Sequence, residues 1–275
     1  ARFFTKALTD IGVLGVQEPF ASLFTQGMIT RDGAKMSKSK GNVISPATYV
    51  DRYGADTARC YLLFIGPPDQ DADWSDEGVE GVNRFLARLW RLGHELGAGP
   101  SGSPSPADLA GMSEADAAVA RKAHWAIEKV TADISGRFAF NTAISAVMEL
   151  VNECYRHRET ASAEILRFAA ATGASLVFPF APHTASEVYE LTTGERVWEQ
   201  PWPEANLEML VADTFELVAQ VNGKVRDRLI APADATKDQL EQLARTAPNV
   251  VAHLDGREVV KVIVVPGKLV NLVVR

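Results

Sequence analysis

The densest chemistry in this 275-residue chain sits at Lys35-Met36-Ser37-Lys38-Ser39, with Lys40 close behind and Gly33 and Gly41 on either side. Those types in that order read as a flexible loop that sets mobile ammonium groups beside two hydroxyls. Met36 is its one apolar side chain and can pin the loop to the body. Such a loop can close over a polyphosphate. Two unit charges ~4 Å apart at an effective dielectric of ~20 interact by about 4 kcal/mol. Attraction that grows as charge develops on the phosphates accelerates a reaction instead of only holding a nucleotide. On composition alone the competing reading is a solvated surface loop, and the glycine pattern of a Walker loop is absent.

A second set of cations suits a phosphate backbone. Lys224, Arg226 and Arg228 alternate along a strand-like segment, which predicts one row spaced roughly 6.6 Å apart, close to the phosphate spacing of an RNA strand. A tight turn at Asn222-Gly223 would put that row on the same face as Leu217, Ala219 and Val221, so a bulge or a different loop must separate them. Arg84, Arg88 and Arg91 are spaced for one helix face opposite an apolar stripe. Arg121, Lys122, Arg156, His157 and Arg158 are further candidates, each with a solvated face as the alternative. The five histidines, His94, His124, His157, His183 and His253, read as surface or packing residues. Cys60 and Cys154 lack metal or disulfide spacing and read as packed hydrophobes in a reducing compartment.

The elements that must position these groups fall into three stretches. Residues 1–74 are mixed, residues 75–210 helical with a Gly/Pro/Ser-rich linker at about 97–112, and residues 211–275 strand-rich. Ser75 is expected to cap a helix whose stripe is Val82, Phe85, Leu86, Leu89, Leu92 and Leu96, with Trp74 stapled onto Val79. Ser113 opens a second helix with Val119, Ala123, Ile127, Val130 and Ile134 inward. Asn141 is expected to cap a third, and a fourth runs over residues 162–176. Pro179 and Pro182 interrupt it before a shorter helix at 185–191. Several amphipathic helices with modest connections make a bundle. Beyond it, a hairpin at 215–230, a helix at 234–247 and strands at 259–265 and 269–274, separated by Pro266-Gly267, make a small α/β domain. The fold class is thus multidomain α+β.

A 47% hydrophobic and 23% charged composition is that of a soluble globular protein and excludes a disordered or collagenous chain. The most apolar stretch, residues 168–181, is too short to span a bilayer and no leader opens the sequence, so no membrane role and a cytoplasmic location are expected. A net charge of −7 excludes a generally basic binder but not a local positive surface, since salt limits distant charges to about 8 Å.

The string at 35–39 resembles the KMSKS loop of class I aminoacyl-tRNA synthetases. So do Gly41-Asn42 and Tyr53-Gly54-Ala55-Asp56-Thr57-Ala58-Arg59 after it. The stretch from Pro67 through Asp71-Ala72-Asp73-Trp74-Ser75-Asp76 to Gly81, with Glu18-Pro19-Phe20 and Thr25-Gln26-Gly27-Met28, is similar to the leucine enzymes. Pro179-Phe180-Ala181-Pro182-His183 resembles a run in their anticodon-binding bundle. Val221-Asn222-Gly223-Lys224-Val225-Arg226-Asp227 and Val264-Val265-Pro266-Gly267-Lys268-Leu269-Val270-Asn271 resemble the terminal domain of the bacterial members. The resemblance implies the end of a catalytic domain at 1–74, an anticodon-binding domain at 75–210 and a tRNA-binding domain at 211–275. It implies a leucine-tRNA ligase activity: leucine joined to the α-phosphate of ATP, then moved to tRNA(Leu). Lys38 would be the main catalytic cation and Lys35 the second. Ser37 and Ser39 would contact ATP or shape the loop, and Met36 would anchor it. Magnesium would ride on the phosphates, with no protein metal site. Lys224, Arg226, Arg228 and Lys268, with Arg84, Arg88 and Arg91, would meet tRNA.

A HIGH-type histidine motif and an editing insertion are not found, so the expectation is a fragment or split subunit that needs an N-terminal catalytic and editing portion as partner. Alternatives are a non-catalytic tRNA-binding module, or a valine, isoleucine or methionine enzyme.

Overall fold

A computed structural model describes residues 1–100, 102–210, 214–232, 235–254, 256–257, 259–265 and 267–275. The expected boundary at 211, the expected helix start at Asp234 and the turn residue Pro266 lie outside the described residues, as does position 101 of the expected linker. The chain forms two compact units, Ala1–Asn206 and Leu207–Arg275.

In the first unit, α1 (Arg2–Asp10) precedes a hairpin of β1 (Ile29–Arg31) and β2 (Ala34–Lys35). Asp32 and Gly33 both take positive φ, 54° and 69°, as a type I′ turn requires. After α2 (Pro46–Tyr53) and α3 (Ala55–Phe64), β3 (Ala72–Asp73) returns to pair parallel with β1, giving the order β2-β1-β3. Close approach fixes Gly27: a Cβ there would lie 2.0 Å from the Gln70 carbonyl oxygen.

Five helices follow: α4 (Asp76–Leu96), α5 (Glu114–Arg137), α6 (Phe140–His157), α7 (Ala163–Val177) and α8 (Pro182–Thr193). Ser75, Ser113 and Ser162 cap α4, α5 and α7 through their hydroxyls, and Pro182 opens α8, where its missing N–H costs nothing. The expected stripes face the core: Val82, Phe85, Leu86, Leu89 and Leu92 on α4, and Val119, Ala123, Ile127 and Val130 on α5, are buried, while Leu96 and Ile134 at the ends of the stripes are half-buried. Helix α7 is buried nearly all round from Phe168 to Ala174, which explains the most apolar stretch of the sequence. Helix α3 adds Cys60 and Tyr61 to this same core. Burial pushes the thiols of Cys60 and Cys154 up to about 12, so both stay protonated and inert.

Asn141 is not a cap. Helix α6 begins at Phe140 with Ala139 at its N-cap, and the Asn141 carbonyl accepts from Ser145 inside the helix. Helix α5 ends on Phe138 in the left-handed region, and this tight reversal lets α6 start earlier than a side-chain cap would place it.

In the second unit, β4 (Thr214–Val221), β5 (Lys224–Pro232), β6 (Val259–Val265) and β7 (Leu269–Val274) form a sheet of order β5-β4-β7-β6. Helices α9 (Lys237–Thr246) and α10 (Pro248–Leu254) supply Leu240, Ala244 and Val250 to its core beside Leu217, Ala219, Val270 and Leu272. Thr236 and Gln239 make a capping box at α9. The helix expected at 234–247 corresponds to α9 alone, and α10 was not expected.

Candidate functional site

The lysine loop is more ordered than a free glycine-flanked segment. Lys35 ends β2, and residues 38–40 form a single 3-10 turn capped by Ser37 and closed by Gly41 at φ 66°. The Ser37 hydroxyl accepts from the Lys40 amide at 3.3 Å and lies 3.2 Å from the Ser39 hydroxyl. Asn42 clamps the base: its Oδ1 accepts from the Ser37 amide at 2.9 Å and its Nδ2 donates to the Lys35 carbonyl at 3.3 Å. Lys35, Lys38 and Lys40 stay exposed while Met36 turns half-buried into the body. One apolar anchor between solvated ammonium groups leaves the charge free to meet an anion.

The segment at 71–76 holds this hairpin in place. Asp71 Oδ1 accepts from the Met28 amide at 2.6 Å. Asp73 Oδ1 accepts from the Thr30 hydroxyl at 2.7 Å and from the Gly33 amide at 3.1 Å, and these bonds keep its carboxyl below the usual range. The acidic residues of this motif thus serve the backbone leading into the lysines. Sequence reading missed that role, although their regular spacing just before a helix cap was visible.

Asp56 joins α3 to the first turn of α8. It accepts from the Thr184 amide at 2.6 Å and from His183 Nδ1 at 2.8 Å. Burial works against its charge, but the Thr184 amide and then the His183 imidazole outweigh it and leave its carboxyl lowered. His183 is therefore a bonded partner of Asp56, with its own ring largely exposed.

The basic residues disperse. On α4, Arg84 and Arg91 are exposed. Arg88 instead donates to Asn152 at 2.6 Å and lies 4.3 Å over the Tyr155 ring. Lys122 pairs with Glu149 at 2.5 Å, and Arg158 with Glu95 at 3.4 Å.

The expected single row of Lys224, Arg226 and Arg228 is not formed. Lys224 pairs with Val221 and Arg228 with Val218, and the register shifts by one residue between them. Val218 and Val221 point to opposite faces of β4, so the two cations do too. Arg226 is the bulged residue, and its Nε is buried without a hydrogen-bond partner. Of the two expected alternatives, a bulge or a different loop, the strand carries the bulge, and it takes Arg228 off the face of Leu217 and Ala219. Arg228 pairs with Glu216 there. It shares a row across the sheet with Val218 and Leu269, next to exposed Lys268. The two C-terminal motifs meet at the other end of the sheet, where Asn271 Oδ1 accepts from the Gly223 amide at 3.0 Å and Asn222 bonds both backbone groups of Val274.

The family model of class I tRNA synthetases for isoleucine, leucine, methionine and valine matches residues 2–75, and that of the anticodon-binding domain of tRNA ligases matches residues 116–241. Leucine–tRNA ligase of Nitratidesulfovibrio vulgaris (strain Miyazaki F) is 46% identical over 100% of this chain. The chain belongs to the class I aminoacyl-tRNA synthetases. As a synthetase chain it spans 34% of the length of that relative, and 34% of the Oleidesulfovibrio alaskensis leucine–tRNA ligase, which is 46% identical over 99% of it. A leucyl-tRNA synthetase of Agrobacterium radiobacter K84, solved in a ternary complex with tRNA and LeuAMS, superposes on all of it with a TM-score of 0.79 at 34% identity, covering 36% of that chain. Methionyl-tRNA synthetase of Mycobacterium tuberculosis covers 69% of this chain with a TM-score of 0.52 at 22% identity, and shares the fold. Among the described residues no helix is long and apolar enough to cross a membrane.

Proposed function

We propose that this chain is part of a leucine–tRNA ligase of the cytoplasm, supplying the KMSKS loop and tRNA-binding surfaces to an enzyme completed by an N-terminal catalytic and editing portion. Residues 1–74 close the catalytic domain, residues 75–210 bind the anticodon side of the tRNA, and residues 211–275 form a terminal tRNA-binding domain. A carboxylate oxygen of leucine attacks the α-phosphorus of ATP. The bond to the β-phosphate breaks and pyrophosphate leaves, with magnesium bound to the triphosphate as part of the substrate. A ribose hydroxyl at the end of tRNA(Leu) then takes the leucyl group and AMP departs.

Lys38 and Lys35 neutralise charge that moves onto the leaving pyrophosphate, and Ser37 and Ser39 shape or extend that contact. The observation that carries this reading is the loop itself: exposed ammonium groups on a turn clamped from below by Asn42 and anchored by half-buried Met36, after a hairpin that Asp73 holds at Gly33. Arg228 and Lys268, with Lys224, Arg226, Arg84, Arg88 and Arg91, are the proposed contacts to tRNA, through its backbone. In this reading the walls for adenine and leucine come from that N-terminal portion, and adenylate formation needs it. The test is aminoacylation of tRNA(Leu) by the full-length protein. Leucine should be charged, while valine, isoleucine and methionine are not; preference for one of those three would overturn the assignment.

A further inference from the structure

We propose that Tyr49, Trp74 and Asp76 are positioning residues for the lysine loop: they build the seat into which Met36 turns and so set where Lys35 and Lys38 stand. This rests on the reading that those lysines meet the triphosphate. Met36 lines a cavity of about 150 Å³ together with Ile29, Ile44, Tyr49, Leu62 and Trp74. The walls are an aromatic corner. Trp74 meets Tyr49 edge-on with centroids 4.8 Å apart and Tyr61 likewise at 4.9 Å.

One oxygen fixes both rings that face the cavity. Trp74 Nε1 donates to Asp76 Oδ1 at 2.9 Å, and the Tyr49 hydroxyl donates to the same atom. Asp76 is the first residue of α4, where the helix dipole favours a carboxylate. Its hydrogen bonds from Tyr49 and then Trp74 hold its carboxyl below the usual range. The third ring is tied to the same helix entry, because the Tyr61 hydroxyl accepts from the Ser75 amide at 2.9 Å. A ring locked at its polar edge presents a fixed apolar wall. Met36 is one residue from Lys35 and two from Lys38, so a shift of that wall moves the ammonium groups. Misplacement by about 1 Å at a reacting centre can cost a hundredfold in rate.

The test uses the full-length synthetase containing this chain, read by leucine-dependent ATP–pyrophosphate exchange. Trp74→Phe keeps a ring but removes the donor to Asp76, and Asp76→Asn removes the charge at constant volume. Both should lower kcat by about tenfold or more, leave the KM for ATP within about threefold, and leave tRNA affinity unchanged. Once Met36 is Ala, Trp74→Phe should cost little more, because both changes disable one contact. Wild-type kcat in Trp74→Phe and Asp76→Asn, or a Trp74→Phe loss that multiplies with that of Met36→Ala, overturns the proposal. Lost tRNA affinity in Trp74→Phe marks a folding defect, and Asp76→Asn then decides alone. Lys38→Ala, run in parallel, separates the two ideas. Exchange that collapses in Lys38→Ala and persists in Trp74→Phe and Asp76→Asn sinks the seat alone, whereas exchange that survives Lys38→Ala sinks the reading beneath it.

Discussion

Replacing Asp56 with Ala removes the carboxylate that ties α3 to α8. Its two short bonds, 2.6 Å from the Thr184 amide and 2.8 Å from His183 Nδ1, are charge-assisted, a class worth about 1.5–3 kcal/mol each. The Asp56 side chain is 9% exposed but that of His183 is 80% exposed, so the second bond counts at the low end. A loss of about 3 kcal/mol follows, also within the range for breaking a buried charged contact. Urea unfolding read by tryptophan fluorescence isolates the effect, because all five tryptophans, Trp74, Trp90, Trp125, Trp198 and Trp202, lie in the Ala1–Asn206 unit. At a slope of roughly 3 kcal/mol per molar, the midpoint should fall by about 1 M. The sign with pH is fixed as well. The folded pKa of Asp56 is lowered, so its contribution is complete above the unfolded value of about 3.9 and is lost as pH falls through the folded one. The gap between wild type and variant should stay level from pH 8 to about 5 and narrow below about 4. A gap under about 1 kcal/mol at pH 7, or one that widens on acidification, would refute this reasoning.

Two further outcomes are expected. Leu89, fully buried on α4, should cost about 2–5 kcal/mol as Ala, measured by the same unfolding; a loss below about 1 kcal/mol would mean the bundle core relaxes freely. Arg228→Ala with Lys268→Ala in the full-length protein should weaken tRNA binding similarly for different tRNA sequences and lower the steepness of its salt dependence. Unchanged affinity and slope would remove this end of the sheet from the tRNA surface.

The bundle was legible because apolar spacing and serine caps agree along α4, α5 and α7, and the motif at 35–39 was legible because its residue types are so specific. What was not legible depends on partners distant in sequence. No local pattern shows that Asp73 serves the turn at Gly33, or that Arg88 is taken by Asn152 and Tyr155. The lost row on β5 has a different cause. Alternation along one strand presumes regular pairing, and the bulge at Arg226 cancels it. The need for a bulge or a different loop followed from the buried face of β4, but which of the two, and where, could not be read from β5 alone.

Lys38→Ala in the full-length enzyme bears most directly on the function. An exposed ammonium group on a clamped turn offers about 4 kcal/mol to a phosphate charge, equivalent to about a thousandfold in rate. Leucine-dependent ATP–pyrophosphate exchange should fall by about that factor while tRNA affinity holds. Exchange at the wild-type rate would contradict the account.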